Sequence, residues 1–355
     1  MKITNVEHFQ LDLPLRTPYT IAYETIERAE NVILKITTAS GHVGWGCAAP
    51  DPAITHETGA DVLRGLSTTA EPLLLGENAF RLAYFDEVLR AQIPSMKTTR
   101  AAVDLALHDL LARKADLPLY QLLGGYRREI PTSVTIGILP LDATLELADA
   151  YWREGFYILK LKGGLSLDGD VEKIHKLRER LGSNLVLRFD ANQGYTAAQA
   201  VEFIERTRTA GVEILEQPTA FEDETALKQV THRTDVPVMA DESLRSLKDA
   251  FRLSSNAATD MINVKLQKVG GLTEGRHINS VAKAAGIEIM VGCLDECALG
   301  ISAGLHYALS RPNIEYADLD GHLDLLDDPF AEGLFRIDRG RMIPSTAAGL
   351  GEVRL

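Results

Sequence analysis

The chain has 355 residues, of which 45% are hydrophobic and 25% charged, with a formal net charge of -13 at pH 7. This length allows one large domain and a smaller one, in a composition typical of globular proteins. The acidic balance argues against a nucleic-acid partner, because phosphate binding needs clustered Lys and Arg. No run approaches about 18 apolar residues, and three cysteines cannot form an even disulfide framework. We therefore expect a cytoplasmic protein that binds neither nucleic acid nor membranes.

The first third of the chain predicts a small α+β domain over residues 1–125. Residues 1–50 alternate apolar and polar positions, with a turn at Ser40–Gly41 before HVGWGCAA, which predicts an antiparallel meander. Residues 56–123 show helical spacing, most clearly TRAAVDLALHDLLARKAD, which predicts an amphipathic helix ending before Pro118. Strands followed by helices favour one compact unit.

The middle of the chain, residues 126–320, predicts a barrel of parallel strands. Short apolar segments alternate here with amphipathic helices, and the seven clearest are SVTIGI, YILKLK, LVLRFD, VEILEQ, VPVMAD, MINVKL and IEIMVG. Seven or eight such units favour a (β/α) barrel. An open doubly wound sheet is the alternative, but no Gly-rich phosphate fingerprint opens any unit. Residues 321–355 return to turn-rich sequence, and we expect them to pack back on the first domain.

Charged residues fall at the ends of these apolar strands. In YILKLK, Lys160 and Lys162 share one face and the leucines share the other, so both lysines point into a barrel. Strand ends carry the active sites of such barrels. One charged strand-end residue follows another at intervals of 24 to 28 residues, about one strand-helix unit, in the order Lys162, Asp190, Glu216, Asp241 and Lys265.

Three carboxylates at one barrel mouth repel each other unless a cation lies among them. Asp190, Glu216 and Asp241 offer only oxygen ligands, which suit a hard ion such as Mg²⁺. A lysine from a strand on either side, Lys162 or Lys265, would then face each side of a bound substrate. The pattern predicts metal-assisted proton chemistry.

The motifs around these residues resemble the enolase superfamily, in its muconate-lactonizing subgroup. They are KLK at Lys160–Lys162, FDANQG at Asp190, EQP at Glu216, ADES at Asp241 and VKLQKVGG at Lys265. The resemblance covers essentially the whole chain. It implies an α/β fold, a modified TIM barrel (β/α)7β, with an α+β capping domain formed by the N-terminal region and the C-terminal tail.

The resemblance also implies roles for individual residues. One Mg²⁺ per subunit of a homo-oligomer would be held by the three carboxylates, and the two opposed lysines would be catalytic. Electrostatic or supporting roles fall to Lys160, Asn192 and Lys268.

A pair of acids narrows the reaction. Asp318 and Asp320 in DLDG lie beyond the last predicted barrel strand and are similar to the motif with which dipeptide epimerases hold the substrate's α-ammonium. Two adjacent carboxylates suit a cation and repel an anionic acyl group. The other interpretation is a solvated acidic turn. The resemblance implies a 1,1-proton transfer at the α-carbon of the C-terminal residue of a dipeptide, through an ene-diolate.

The side-chain specificity is predicted from charge. Relatives that act on Ala-Glu carry an arginine where this chain has Glu24, and Asp51 and Asp295 add further acids to loops expected at the mouth. We therefore expect a preference for dipeptides that contain Lys or Arg. Glu296 and Thr135 are also expected to contact the substrate. The alternatives are an Ala-Glu-type epimerase, an N-acylamino-acid racemase, a muconate cycloisomerase, and a catalytically silent barrel used for binding.

Overall fold

The computed structural model describes residues 1–20 and 25–354. An antiparallel sheet in the order β1-β2-β3 opens the chain, which confirms the predicted meander. Its strands are β1 (Ile3–Thr20), β2 (Thr25–Thr38) and β3 (Val43–Ala48). The predicted specificity residue Glu24 lies outside the described residues.

Five helices follow the first sheet, and a π-helical turn at Leu66–Ala70 joins the first two of them. They are α1 (Gly59–Gly65), α2 (Glu71–Leu74), α3 (Leu82–Gln92), α4 (Lys97–Ala115) and α5 (Leu119–Leu123). Helix α4 was predicted to bury one apolar stripe, but 14 of its 19 residues are buried, because it packs against both the first sheet and barrel helices. Gly44 and Gly46 of β3 allow this contact, since a Cβ at either position would lie within 2.4 Å of an α4 carbonyl oxygen.

After a short strand β4 (Ile130–Pro131), eight parallel strands form the barrel. The strands are β5 (Val134–Ile136), β6 (Ile158–Lys162), β7 (Val186–Asp190), β8 (Val212–Glu216), β9 (Val238–Ala240), β10 (Met261–Lys265), β11 (Glu288–Gly292) and β12 (Ile314–Asp318).

Eight helices lie between the barrel strands along the chain, and a 3-10 turn at Arg208–Ala210 follows the third of them. They are α6 (Leu141–Arg153), α7 (Leu167–Leu181), α8 (Ala197–Thr207), α9 (Glu224–Arg233), α10 (Leu247–Ser255), α11 (Leu266–Val269), α12 (Leu272–Ala285) and α13 (Ala298–Ala308).

The strand order settles the fold class. Strands β5 to β12 are neighbours in chain order, and a parallel bridge between Thr132 and Ala317 joins the first edge to the last. This arrangement confirms the barrel and rules out the open doubly wound sheet. The seven predicted strands are all present. An eighth, β12, ends at Asp318, so placing this residue beyond the last strand was wrong.

The C-terminal segment contacts two parts of the molecule. Strands β13 (Phe335–Asp338) and β14 (Arg341–Pro344) form a small antiparallel sheet with β4. Farther on, the Leu350 backbone N–H donates to Asp109 of α4 over 2.7 Å. The division into units at residues 125 and 320 stays a prediction. Within the described residues, no helix combines the length and apolarity needed to cross a membrane.

Candidate active site

The register of the barrel strands brings the predicted charged residues to one end of the barrel. Lys162 on β6 is aligned with Asp190 on β7, and Asp190 is aligned with Glu216 on β8. Lys265 ends β10, four strands away from β6 in the eight-stranded ring. The two lysines therefore approach the mouth from opposite sides, with the carboxylate strands between them.

Each of the two opposed lysines contacts a carboxylate. Lys162 Nζ lies 3.3 Å from Asp190 Oδ2 and donates to Asn192 Oδ1 over 3.1 Å. Lys265 Nζ lies 2.8 Å from Asp241 Oδ2. Burial lowers the pKa of Lys265, but the neighbouring Asp241 charge outweighs burial and raises it well above the ordinary value.

Lys160 is the buried cation at the centre of the site. Its Nζ forms an ion pair with Asp318 and lies 3.6 Å from Glu216 Oε2 and 3.9 Å from Asp190 Oδ2. Burial opposes the charge, but these carboxylates outweigh it and raise the pKa of Lys160. Lys160 therefore stays charged and offsets the acids around it.

Glu216 has one carboxylate oxygen that accepts no hydrogen bond from the described residues. Its Oε1 accepts from Asn263 over 2.7 Å, whereas the buried Oε2 has only Lys160 Nζ nearby, 3.6 Å away. Burial raises the pKa of Glu216 to about 8, and the charges of Asp190 and Asp241 add to this rise against Lys160. A cation among these oxygens would relieve both penalties, so the oxygen-only donor set fits Mg²⁺.

Asp241 is held by two lysines. Lys268 Nζ contacts Asp241 Oδ1 and donates to the backbone carbonyls of Asp241, over 2.5 Å, and Asn263, over 3.1 Å. Burial raises the pKa of Asp241, but Lys265 and Lys268 outweigh it, and the pKa falls. Within the described residues, no three His, Cys, Asp or Glu side chains already form a metal-ligand group. The three predicted ligands instead belong to a lysine-carboxylate network that a divalent ion would have to rearrange.

The acids of the DLDG motif have different partners. Asp318 is buried, pairs with Lys160 and accepts from Ser133 Oγ over 2.6 Å. Asp320 Oδ2 accepts from the Thr135 backbone N–H over 2.5 Å. Burial and the adjacent Asp318 charge raise the pKa of Asp320 to about 6. Among the described residues, Asp318 is therefore the acid of the pair that has a lysine partner, and Asp320 is the one that has none.

A cavity of about 180 Å³ lies over this network, between the barrel mouth and the first sheet. Its lining includes three lysines and seven acids, and Asn192 and Thr135 also line it. The lysines are Lys160, Lys162 and Lys265; the acids are Asp51, Asp241, Glu242, Asp295, Asp318, Asp320 and Asp324. The cavity thus brings together most of the predicted residues and carries an excess of negative charge.

Three acids of the cavity wall, Asp51, Asp295 and Asp320, are called the rim. None of them forms an ion pair with a described Lys or Arg. Tyr19 Oη donates to both Asp295 carboxylate oxygens, each 3.0 Å away. Burial raises the pKa of Asp295 to about 6, and the Asp51 charge adds to this rise against the Tyr19 hydrogen bond. Asn31 Nδ2 also donates to the Asp295 carbonyl, over 2.9 Å.

Glu296 was expected to contact the substrate, but it does not line the cavity. Its Oε2 accepts from Gln267 over 3.0 Å, and its Oε1 accepts from the Leu294 backbone N–H over 3.1 Å. Gln267 also exchanges hydrogen bonds with the Cys47 carbonyl and the Ala49 N–H of the first sheet region. Burial raises the pKa of Glu296 to about 7. Glu296 thus lies in the contact layer between the barrel and the first sheet.

Several residues of the site were not singled out from the sequence. Gln217 accepts from the Asp241 and Ser243 backbone N–H groups and so orders the turn that carries Asp241. Glu242 lines the cavity beside it. Both lie inside the EQP and ADES motifs, which was a usable signal. The hydrogen bond from Tyr19 to Asp295 had no such signal, because the two residues lie 276 positions apart in the chain.

Family comparisons agree with this geometry. Residues 3–124 match the N-terminal domain of the mandelate racemase / muconate lactonizing enzyme family, and residues 143–353 match the enolase C-terminal domain-like model. The chain is 38% identical to the L-Ala-D/L-Glu epimerase of Bacillus subtilis, over 94% of this chain and 92% of that one. It is 37% identical to the hydrophobic dipeptide epimerase of Enterococcus faecalis, over 99% of both chains.

A solved structure extends the likeness. The dipeptide epimerase of Methylococcus capsulatus, complexed with Mg and the dipeptide L-Arg-D-Lys, superposes with a TM-score of 0.95 at 37% identity, over 100% of both chains. The two family matches and these identities over nearly full length lead to one conclusion. The chain belongs to the mandelate racemase / muconate lactonizing enzyme family of the enolase superfamily.

Proposed function

We propose that this protein is a Mg²⁺-dependent dipeptide epimerase that inverts the α-carbon of the C-terminal residue. One observation carries the proposal: Lys162 and Lys265 end strands on opposite sides of a cavity that is also lined by Asp241 and by the Asp318–Asp320 pair. Opposed bases can exchange a proton on both faces of one carbon. The similarity to dipeptide epimerases supports the same activity.

The proton transfer requires two lysines in opposite protonation states. A neutral amine on one face takes the α-proton, and the ammonium on the other face returns a proton to the same carbon, which inverts it. The family resemblance assigns Lys162 to the L face and Lys265 to the D face. Asn192, Lys160 and Lys268 would support them through the contacts described above.

Asp190, Glu216 and Asp241 would hold the Mg²⁺. When bound, the ion supplies positive charge that stabilises the negative charge developing on the substrate carboxylate as the α-proton leaves. The unpartnered Glu216 oxygen supports this assignment, since a buried carboxylate oxygen without a donor is costly.

Asp318 and Asp320 would bind the α-ammonium of the dipeptide. The ion pair with Lys160 already offsets Asp318, so Asp320 contributes most of the charge available to a ligand. This supports a free amine over the N-acyl group or muconate of the alternative reactions, which present no cation. Thr135 would help by holding Asp320 through its backbone N–H.

A cationic residue in the dipeptide is proposed from the charge of the cavity. Relatives of nearly equal identity act on Ala-Glu or hydrophobic dipeptides, so overall likeness does not choose the side chain. The seven acids around the cavity exceed the three lysines, and the rim acids have no described cation partner. Asp51 and Asp295 therefore favour dipeptides that contain Lys or Arg.

A dipeptide library incubated with the protein and Mg²⁺ in deuterated water tests the activity by mass spectrometry. We expect deuterium at the α-carbon of the C-terminal residue, fastest with dipeptides that contain Lys or Arg. Faster turnover of Ala-Glu than of Ala-Lys would contradict the cationic preference. The absence of α-exchange across the library would contradict the epimerase itself. Full activity in D318A and D320A would favour a racemase of N-acyl substrates.

The cellular setting belongs to the same proposal. Cys47, Cys293 and Cys297 are free thiols, which suits a reducing cytoplasm. We expect a homo-oligomer, which light scattering of the purified protein would measure directly.

A further inference from the structure

Two cysteines from distant parts of the chain meet between the first sheet and the barrel. Cys47 lies on strand β3, and Cys297 directly precedes helix α13, after strand β11. Their sulfur atoms are 3.6 Å apart, although 250 residues separate them in the sequence. Helix α13 packs against β3, so these residues join two elements that are already in contact. Cys47 and Cys297 are called the dithiol pair.

Two amide side chains hold the segments that carry the dithiol pair. Asn31 Oδ1 accepts from the Cys297 backbone N–H over 2.9 Å and from the Cys47 thiol over 3.3 Å. Gln267 Nε2 donates to the Cys47 carbonyl over 3.2 Å and to Oε2 of Glu296, the residue before Cys297, over 3.0 Å. Each amide thus bonds both segments, which keeps the two sulfur atoms next to each other.

The dithiol pair is shielded from solvent. Both cysteines have 0% relative exposure. The hydrogen bond with Cys297 and burial raise the pKa of Cys47 well above its ordinary value. Because the thiolate is the reactive form of cysteine, the pair reacts little while the sheet covers it. An oxidant therefore reaches it only when the sheet and the barrel separate locally.

The third cysteine has a different environment. Cys293 is half-buried at the cavity wall, where its Sγ lies 3.9 Å from Asp320 Oδ1 and accepts from the Gly321 backbone N–H over 3.4 Å. No hydrogen bond among the described residues joins Cys293 to the dithiol pair. Cys293 therefore serves as an internal comparison, a thiol without a neighbouring thiol.

We propose that Cys47 and Cys297 form a modification site, at which a hydroperoxide converts the two thiols into a disulfide that fastens the first sheet to the barrel. The inference goes beyond the proposed function, because it concerns the contact between sheet and barrel and involves no substrate. Disulfides of this kind in reducing compartments are transient, which agrees with thiols that are free in the structure.

The reaction takes place in two steps and consumes one H₂O₂. While the sheet and the barrel are apart, the thiolate of one cysteine attacks the O–O bond, which gives a sulfenic acid and hydroxide. The proton that this thiol lost converts the hydroxide into water. After the two parts close again, the second thiol attacks the sulfenic sulfur, so the S–S bond forms and a second water leaves.

The disulfide would strengthen the contact between the sheet and the barrel. It would join residues that are 250 positions apart, and the chain entropy that a disulfide removes from the unfolded state grows with this separation. The first sheet also carries Tyr19 and Ile26, which line the cavity. A covalent link would therefore keep this wall over the barrel mouth under oxidising conditions.

Peptide mapping of the full-length protein tests the modification. Reduced protein is treated with a series of H₂O₂ concentrations that ends where methionines become sulfoxides, and the remaining thiols are alkylated under denaturing conditions. We expect mass spectrometry to show one peptide pair linked through Cys47 and Cys297, which dithiothreitol separates, with Cys293 unlinked. Full alkylation of the dithiol pair across the series, or sulfinic and sulfonic acids in place of the link, overturns the proposal.

Thermal unfolding tests the effect of the link on stability. Dithiothreitol reduces a disulfide but not a methionine sulfoxide, so one peroxide-treated sample is compared with and without it. The oxidised form should have a Tm about 5 °C higher than the reduced form. C293S should keep this difference, whereas C297S should lose it. An equal Tm for both forms of the unmutated protein, or an unchanged difference in C297S, overturns the stabilising role of the disulfide.

The opening step makes a separate prediction. Urea at concentrations below the unfolding transition increases the population of locally separated states. The linked peptide pair should therefore form several-fold faster in such urea than in buffer alone. A rate that does not change with urea overturns the requirement for local separation.

Discussion

Carboxylates at the centre of the site have lysine partners, whereas those at the rim have none among the described residues. At the centre, Asp190, Asp241 and Asp318 each contact a lysine from the same barrel. At the rim, Asp51, Asp295 and Asp320 have hydrogen-bond donors but no described Lys or Arg in an ion pair. The three acids at the centre are buried and the three at the rim are half-buried, so the contrast follows the depth of each acid in the site.

We infer from this difference that the centre performs the proton transfer and that the rim recognises the substrate. Charges of opposite sign hold one another in place at the centre, where reacting groups must keep fixed positions. The rim leaves negative charge unmatched, which attracts a cationic ligand and repels an anionic one. A substrate that brings two cations, an α-ammonium and a side chain, complements the rim more fully than one that brings a single cation.

Replacement of Lys162 or Lys265 should lower the epimerase activity more than any other change. K162A and K265A should each lower epimerisation by about 10³-fold, because one face then lacks its acid or base. Each variant should keep α-proton exchange from one stereoisomer of the dipeptide, since the remaining lysine still serves its own face. Exchange from L,L and L,D dipeptides in deuterated water measures both effects. Equal exchange from both isomers in either variant contradicts the division of faces.

Neutralising one acid from each region sharpens the comparison. D318N leaves the buried Lys160 without its main partner and should lower the free energy of unfolding by about 3 kcal/mol. D320N removes a carboxylate without a lysine partner, so it should lower kcat/KM for dipeptides about 10- to 100-fold with little change in stability. Denaturant unfolding and dipeptide kinetics on both variants measure the contrast. Equal stability losses in the two variants would argue against the distinction between centre and rim.

The layer behind the rim should show its effect in the pH dependence of stability rather than in catalysis. Burial raises the pKa of Glu296 from its ordinary value of 4.5 to about 7, so the folded protein holds this proton more tightly than the unfolded chain does. Its contribution to stability is present below pH 4.5 and declines as pH rises to about 7. E296Q should remove up to about 3 kcal/mol of this decline. Unfolding free energies at pH 5 and pH 8 for both proteins provide the test; identical slopes contradict it.

The predictable part of the molecule is the part that repeats along the chain. Alternation in YILKLK oriented Lys160 and Lys162, and intervals near one strand-helix unit linked Lys162 to Lys265 through the three acids. All seven named strands are present. These features are local, because strand parity and unit length are set by backbone geometry within a few dozen residues.

The errors occurred where distant segments meet. Helix α4 looked amphipathic but is buried on most sides, because both the first sheet and the barrel cover it. Strand β12 was missed as an element, so Asp318 was placed beyond the strand that it ends. In each case the sequence showed the residue but not the surface packed against it.

By itself, the sequence determined the barrel, its charged strand ends and the type of chemistry they suggest, since a strand of fixed parity can present a charged side chain to only one of its two faces. Tertiary structure alone decided which charges neutralise one another. Lys160 reaches Asp318 across 158 residues, and Tyr19 reaches Asp295 across 276. Such pairs form only when the barrel closes and the first sheet packs over its mouth. Local periodicity in the sequence does not specify either of these contacts.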